Sequence, residues 1–188
     1  MLTENEYKAV LGIANQMDWR FKVALILAYE TGHRIGAIRQ LRWSDIDLEG
    51  GNVRWRAEHE KTGYEHVTPL TLDAKAALGD ARRMNPGIGD APMFPADRNP
   101  GQAIDRFLPR KWWEGAEKLA GLDAKKGRGW HSIRRKFATD LMDQPLRVVC
   151  KLGGWKTHET LLECYQQPNE GRMRQALAAR RGASGGAQ

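Results

Sequence analysis

Apolar positions recur at helical spacing through most of the chain and turn to a strand-like pattern only in one middle stretch. Residues 3–17, TENEYKAVLGIANQM, begin with Thr3 and Glu6 three apart, the spacing of a capping box, and predict a first helix. The next run, FKVALILAYETG, is apolar nearly all round, which predicts a centrally buried helix stopped by Gly32. Three runs then read as strands: LRWSDIDL, NVRWRAE and GYEHVTPL. Gly50-Gly51 and Lys61-Thr62-Gly63 supply the turns, so a small three-stranded antiparallel sheet is expected, with Lys61 in the second turn. Helical patterning returns over residues 71–84, over 102–119 with an interruption at Pro109, over 131–142, and in NEGRMRQALAARR. The stretch MNPGIGDAPMFPADRNPG reads as a loop, and residues 181–188 as a flexible tail. The class is therefore α+β, mainly helical, with residues 1–180 forming one domain.

Composition narrows the partners. With 188 residues, 41% of them hydrophobic, the chain suffices for one packed domain. No apolar run approaches the roughly 20 residues of a membrane span, and MLTENEYK has no signal-peptide pattern, so a cytoplasmic protein with no membrane partner is expected. Two cysteines, Cys150 and Cys164, give neither a disulfide framework nor zinc spacing, and both read as packing residues. A net charge of +7, spread over several elements rather than gathered in a tail, points to a polyanion as partner.

The chemistry concentrates in WHSIRRKFATDLMDQPLRVVCKLGGWKTHETLLECYQQ, residues 130–167. His131 and Arg134, three apart, fall on one face of a helix start, where free N–H groups favour an anion. Tyr165, the only tyrosine after Tyr64, closes the stretch beyond the break at Gly153-Gly154-Trp155. An arginine for phosphate, a histidine for proton traffic and a tyrosine hydroxyl as nucleophile form a phosphoryl-transfer set. Each has an ordinary structural alternative: a helix cap, a salt bridge, a core aromatic. His59 and His66 stand among Glu58, Glu60 and Glu65, a pattern open to a metal site but equally to cross-strand charge pairs. Trp112 and Trp113 read as core, and the basic loop GLDAKKGRGW offers Lys125, Lys126 and Arg128 for phosphate contacts.

The order TGHRIGAIRQLRWSDID, a lysine in a β-turn, H-x-x-R, G-G-W and then tyrosine resembles the tyrosine recombinases of the phage integrase family. The resemblance runs from about Tyr7 to Arg180. It implies Arg34, Lys61, His131, Arg134, Trp155 and Tyr165 as catalytic residues. It also implies cleavage of double-stranded DNA through a 3′-phosphotyrosyl link, without metal or other cofactor, and self-assembly on DNA; in free solution a monomer is expected. There are two departures. Ala37 stands where the family has an acidic residue, so a carboxylate orienting Arg34 must come from elsewhere or be missing. The interval from Trp155 to Tyr165 is one residue longer than usual. A non-catalytic relative of the same fold and a type IB topoisomerase are the alternatives.

Overall fold

The computed structural model describes residues 2–60, 63–164 and 170–183. Helix α1 (Glu4–Ile13) starts at the expected box: Thr3 Oγ1 accepts from Glu6 N at 3.2 Å and Thr3 N donates to Glu6 Oε2 at 2.7 Å. Two of the helix's orphan N–H groups are thereby satisfied locally.

Helix α2 (Trp19–Thr31) is the centre of the molecule, packed on both α4 (Leu72–Met84) and α6 (Trp130–Asp140). Phe21, Val23, Ala24, Leu25, Leu27 and Ala28 are all buried, as an all-round apolar run requires. Gly32 ends it with φ +67, a left-handed conformation that costs any side chain, and a Cβ there would also collide with the Phe137 ring of α6. The chain turns at once into α3 (Ile35–Ile38).

The sheet has strands β1 (Ile46–Asp47), β2 (Asn52–Trp55) and β3 (His66–Pro69), antiparallel and in that order. Ile46 faces Val53, and Trp55 faces His66. The first expected strand is much shorter than its pattern suggested, because Trp43–Asp45 form a 3-10 turn. Asp45 is buried and accepts from Arg42 N at 3.0 Å, Arg54 Nη2 at 3.0 Å and Arg56 Nε at 2.7 Å. The N–H groups of Trp43 and Ser44 meanwhile bond to Ala91 O and Gly89 O in the long loop. Satisfying a buried carboxylate outweighs a few ladder bonds. The link between β2 and β3 is also longer than a hairpin turn: residues 56–65 include a 3-10 turn at Ala57–His59.

The remaining elements are α5 (Leu108–Leu119), α7 (Leu146–Gly153), α8 (His158–Cys164) and α9 (Glu170–Ala183). Pro109 begins α5 rather than interrupting a longer helix, since its missing N–H is harmless in a first turn. Trp112 and Trp113 are buried in the main core, as is Trp43. A second, smaller core joins Ala138, Val149, Cys150, Trp155 and Leu161. Helix α9 continues to Ala183, three residues into the stretch expected as tail, and residues 184–188 lie outside the described ones. Among the described residues no helix is long and apolar enough to cross a membrane.

Candidate active site

Arg34 occupies the N-cap of α3, two residues after the left-handed Gly32, so the end of the most buried helix fixes its backbone. Its side chain is a quarter exposed, and Nη1 donates to Glu60 Oε2 at 3.3 Å. Glu60 is itself buried, in the connection between β2 and β3. The carboxylate that position 37 lacks is thus supplied from another element. Ala37 packs in the main core.

Helix α6 presents His131 and Arg134 as its spacing requires. Ser132 Oγ accepts from Gly129 N at 3.1 Å and donates to Gly129 O at 2.6 Å, which anchors the helix start. His131 is exposed in the first turn, whereas Arg134, one turn on, is 1% exposed. Arg134 Nη1 donates to Gly32 O and to Gly153 O, both at 2.6 Å, and the guanidinium lies 3.8 Å over the Trp155 ring. One side chain therefore ties the segment of Arg34 to the turn of Trp155.

Trp155 is buried, and its ring also faces Phe137 at 6.5 Å between centroids. Both preceding glycines serve close approach. A Cβ at Gly153 would collide with the Trp155 ring. Gly154 caps α7 with φ +66, and a Cβ there would stand 2.8 Å from His66 Cε1 and 3.1 Å from His33 Nε2. The G-G-W pattern is thus a packing requirement as well as a turn.

These residues share one electrostatic environment. The pKa of His131 is lowered, first by desolvation and then by Arg135, Arg134 and Arg34, which leaves a neutral imidazole at neutral pH. Glu60 is raised above the usual carboxylate range by burial, opposed by Arg134 and then Arg34. His33 is held well below its ordinary value, again first by burial and then by Arg134. Two guanidinium groups beside a neutral imidazole can bind and neutralise an anion.

Four of the six residues expected to be catalytic, Arg34, His131, Arg134 and Trp155, come together. Lys61 and Tyr165 lie outside the described residues. Lys125 and Lys126 are exposed, as a phosphate contact requires. Arg128 is a correction: it is 4% exposed, donating to Glu117 Oε1 at 2.6 Å and Glu6 Oε1 at 2.9 Å, so it fastens its loop to α1 and α5. Among the described residues no group of three or more His, Cys, Asp or Glu is placed to hold a metal ion. The sequence reading missed Glu60 as the partner of Arg34, and missed His33 altogether. The only available signal for Glu60 was its place beside Lys61.

A profile of the phage integrase family matches residues 1–172, and the chain belongs to that family. It is 24% identical over 182 residues to tyrosine recombinase XerA of Pyrococcus horikoshii, covering 94% of this chain and 59% of that one. A stretch of 75 residues, 40% of this chain, is 36% identical to the integrase of Escherichia phage HK022 and covers 20% of it. The crystal structure of XerA recombinase superposes with a TM-score of 0.77 at 22% identity, covering 96% of this chain and 63% of that chain. The pre-cleavage complex of XerH site-specific recombinase with its difH substrate gives 0.72 at 21% identity, covering 94% and 53%. The α+β fold is therefore that of these recombinases. The chain thus spans less than two thirds of the length of either of these curated relatives.

Proposed function

We propose that the chain is the catalytic domain of a site-specific DNA recombinase that breaks and rejoins strands through a covalent 3′-phosphotyrosyl intermediate. The observation that carries this reading is Arg134 holding Gly32 O and Gly153 O together, which gathers Arg34, His131 and Trp155 around one desolvated positive centre. In the proposed step Tyr165 Oη bonds to phosphorus and the bond to the 5′-oxygen breaks. His131 takes the tyrosine proton, and Lys61 protonates the leaving oxygen. Arg34 and Arg134 neutralise charge on the non-bridging oxygens, a task metals perform in many nucleases. Trp155 packs against Arg134 and orients it. Bond energy is stored in the phosphotyrosine, so neither nucleotide nor metal cofactor is required.

Double-stranded DNA is the proposed partner, held by backbone contacts that include Lys125 and Lys126. The net charge of +7 supports this, as does the DNA bound in the XerH complex. Helix α9 is the proposed coupling element for self-assembly on DNA: Met173 and Leu177 are 52% and 63% exposed, an apolar pair lacking cover within the described chain. The free protein is proposed to be a monomer, and to act in the cytoplasm. A stable DNA-free dimer that survives removal of residues 169–188 would sink that role for α9.

Incubation with nicked suicide DNA tests the whole reading. A protein–DNA adduct resistant to denaturation is expected from the wild type, unaffected by EDTA and absent from Tyr165→Phe, which still binds DNA. An adduct formed by Tyr165→Phe, or lost in EDTA, would refute it.

A further inference from the structure

We propose that Glu60 is the positioning residue for Arg34, doing from the β2–β3 connection what position 37 cannot do from α3; this rests on the recombinase reading. Arg34 has a long, freely rotating side chain whose head is a quarter exposed, so nothing in its own helix fixes the guanidinium. A phosphate can be gripped bidentately only if the guanidinium plane is set before the phosphate arrives. Ala37 packs in the main core and offers no polar atom for this.

Glu60 does. Its side chain is 1% exposed, and Oε2 accepts from Arg34 Nη1 at 3.3 Å. Oε1 has no hydrogen-bond partner among the described residues and sits 3.9 Å from His33 Nε2. His33 is fixed in turn: Nδ1 lies 3.1 Å from Thr31 O, and the ring stacks on Trp55 at 3.5 Å between centroids. The carboxylate is thus held between the residue before Arg34 and Arg34 itself. A carboxylate buried with a cation is expensive to maintain, and removing either partner leaves the other uncompensated. A surface glutamate serving solubility alone would not be placed there.

Glu60 also adjoins Lys61 in sequence, and action through the lysine is the competing route. The two routes separate chemically. Arg34 stabilises charge on phosphate whatever the leaving group, whereas Lys61 matters only when the leaving oxygen needs a proton. Replacing the bridging 5′-oxygen by sulfur makes the leaving group a thiolate that departs unprotonated.

Adduct formation should therefore be measured on oxygen- and sulfur-bridged suicide DNA for wild type, Glu60→Gln, Arg34→Ala, Lys61→Ala and the double variant Glu60→Gln/Arg34→Ala. Glu60→Gln is expected to slow cleavage about 10–100-fold, the range typical when an orienting partner is lost, with DNA binding within a few-fold of wild type. The defect should persist with sulfur, while that of Lys61→Ala is rescued. The double variant should be no slower than Arg34→Ala alone. A wild-type rate in Glu60→Gln, sulfur rescue of its defect, or additive losses in the double variant would each overturn the proposal. If Glu60→Gln does not fold, Glu60→Asp reads the same contrasts, since it keeps the charge but withdraws it by one methylene. A wild type that forms no adduct overturns the recombinase reading and this proposal with it; an active wild type with an unaffected Glu60→Gln overturns this one alone.

Discussion

His33 Nε2 lies 2.9 Å from His66 Nε2, which brings two buried imidazoles into direct contact. Each ring turns its Nδ1 to a backbone carbonyl, Thr31 O at 3.1 Å and Tyr64 O at 3.2 Å. The pair joins the residue before Arg34 to strand β3, and Gly154 closes over both rings. The pKa values of both are lowered, each first by burial; for both, Arg134 adds to the depression.

That burial sets a pH dependence of stability. A histidine with a depressed folded pKa binds fewer protons folded than unfolded below about pH 6.5. Its contribution is fully present above that pH and is lost as pH falls toward the folded pKa. Glu60 has the opposite sign: its raised pKa adds stability at low pH that is lost as pH rises through its folded value. Between pH 7.5 and 5.5 the histidines dominate, so the urea midpoint should fall with acidification, and less steeply in His66→Gln. A midpoint that rose on acidification over that range would show that the pair is protonated more readily in the folded state than in the unfolded one.

Gly153 gives a sharper test of packing. Gly153→Ala places a methyl group in the Trp155 ring, so the indole must move off the Arg134 guanidinium. Overpacking of this kind costs about 1–3 kcal/mol, and for a domain this size about 2–4 °C of Tm per kcal/mol. Adduct formation should fall beyond what the lost stability explains, because Arg134 loses its orienting ring. A variant of normal Tm and normal activity would mean that the ring has room the structure does not show.

What was legible in the sequence was local. The Thr3–Glu6 box, the Gly32 stop, the all-apolar α2 and the H-x-x-R spacing depend on neighbours within four residues, and each reappears in the structure. What was not legible depended on distant partners. The strand pattern of residues 41–48 gave way to a turn because Asp45 gathers Arg54 and Arg56. Arg128 reads as a loop cation until Glu6, far away in sequence, is seen beside it. Glu60 read as one of several acids open to a metal site or to cross-strand charge pairs, since nothing within its own loop signals burial against Arg34.

The Arg128 correction separates two kinds of basic residue in one loop. Glu6 is held down to about 2, first by its backbone bond to Thr3, with Arg128 also lowering it. Arg128→Ala strips two carboxylates of a partner and should lower stability by about 1–3 kcal/mol. Lys125→Ala and Lys126→Ala should leave Tm nearly unchanged, weaken DNA binding for every sequence alike, and flatten the dependence of log affinity on log salt. If Arg128→Ala flattened that dependence at unchanged stability, Arg128 would be a phosphate contact after all.

Arg134→Lys tests the residue on which the site is assembled. The substitution keeps the charge but replaces a planar fork by a single ammonium. Arg134 Nη1 serves Gly32 O and Gly153 O together while the flat guanidinium lies against Trp155. An ammonium on a shorter, rounder head cannot hold both carbonyls and stack as well. Stability should fall by about 1–3 kcal/mol as a buried carbonyl loses its donor. Adduct formation should fall about 10²–10³-fold, the typical loss when a charge-stabilising donor is removed. DNA binding should survive, because Arg34 and the loop lysines are intact. Thermal unfolding and single-turnover cleavage on the same preparation separate the two effects. Cleavage within a few-fold of wild type would remove Arg134 from the phosphate-binding pair and leave it as a structural clamp between α2 and α7.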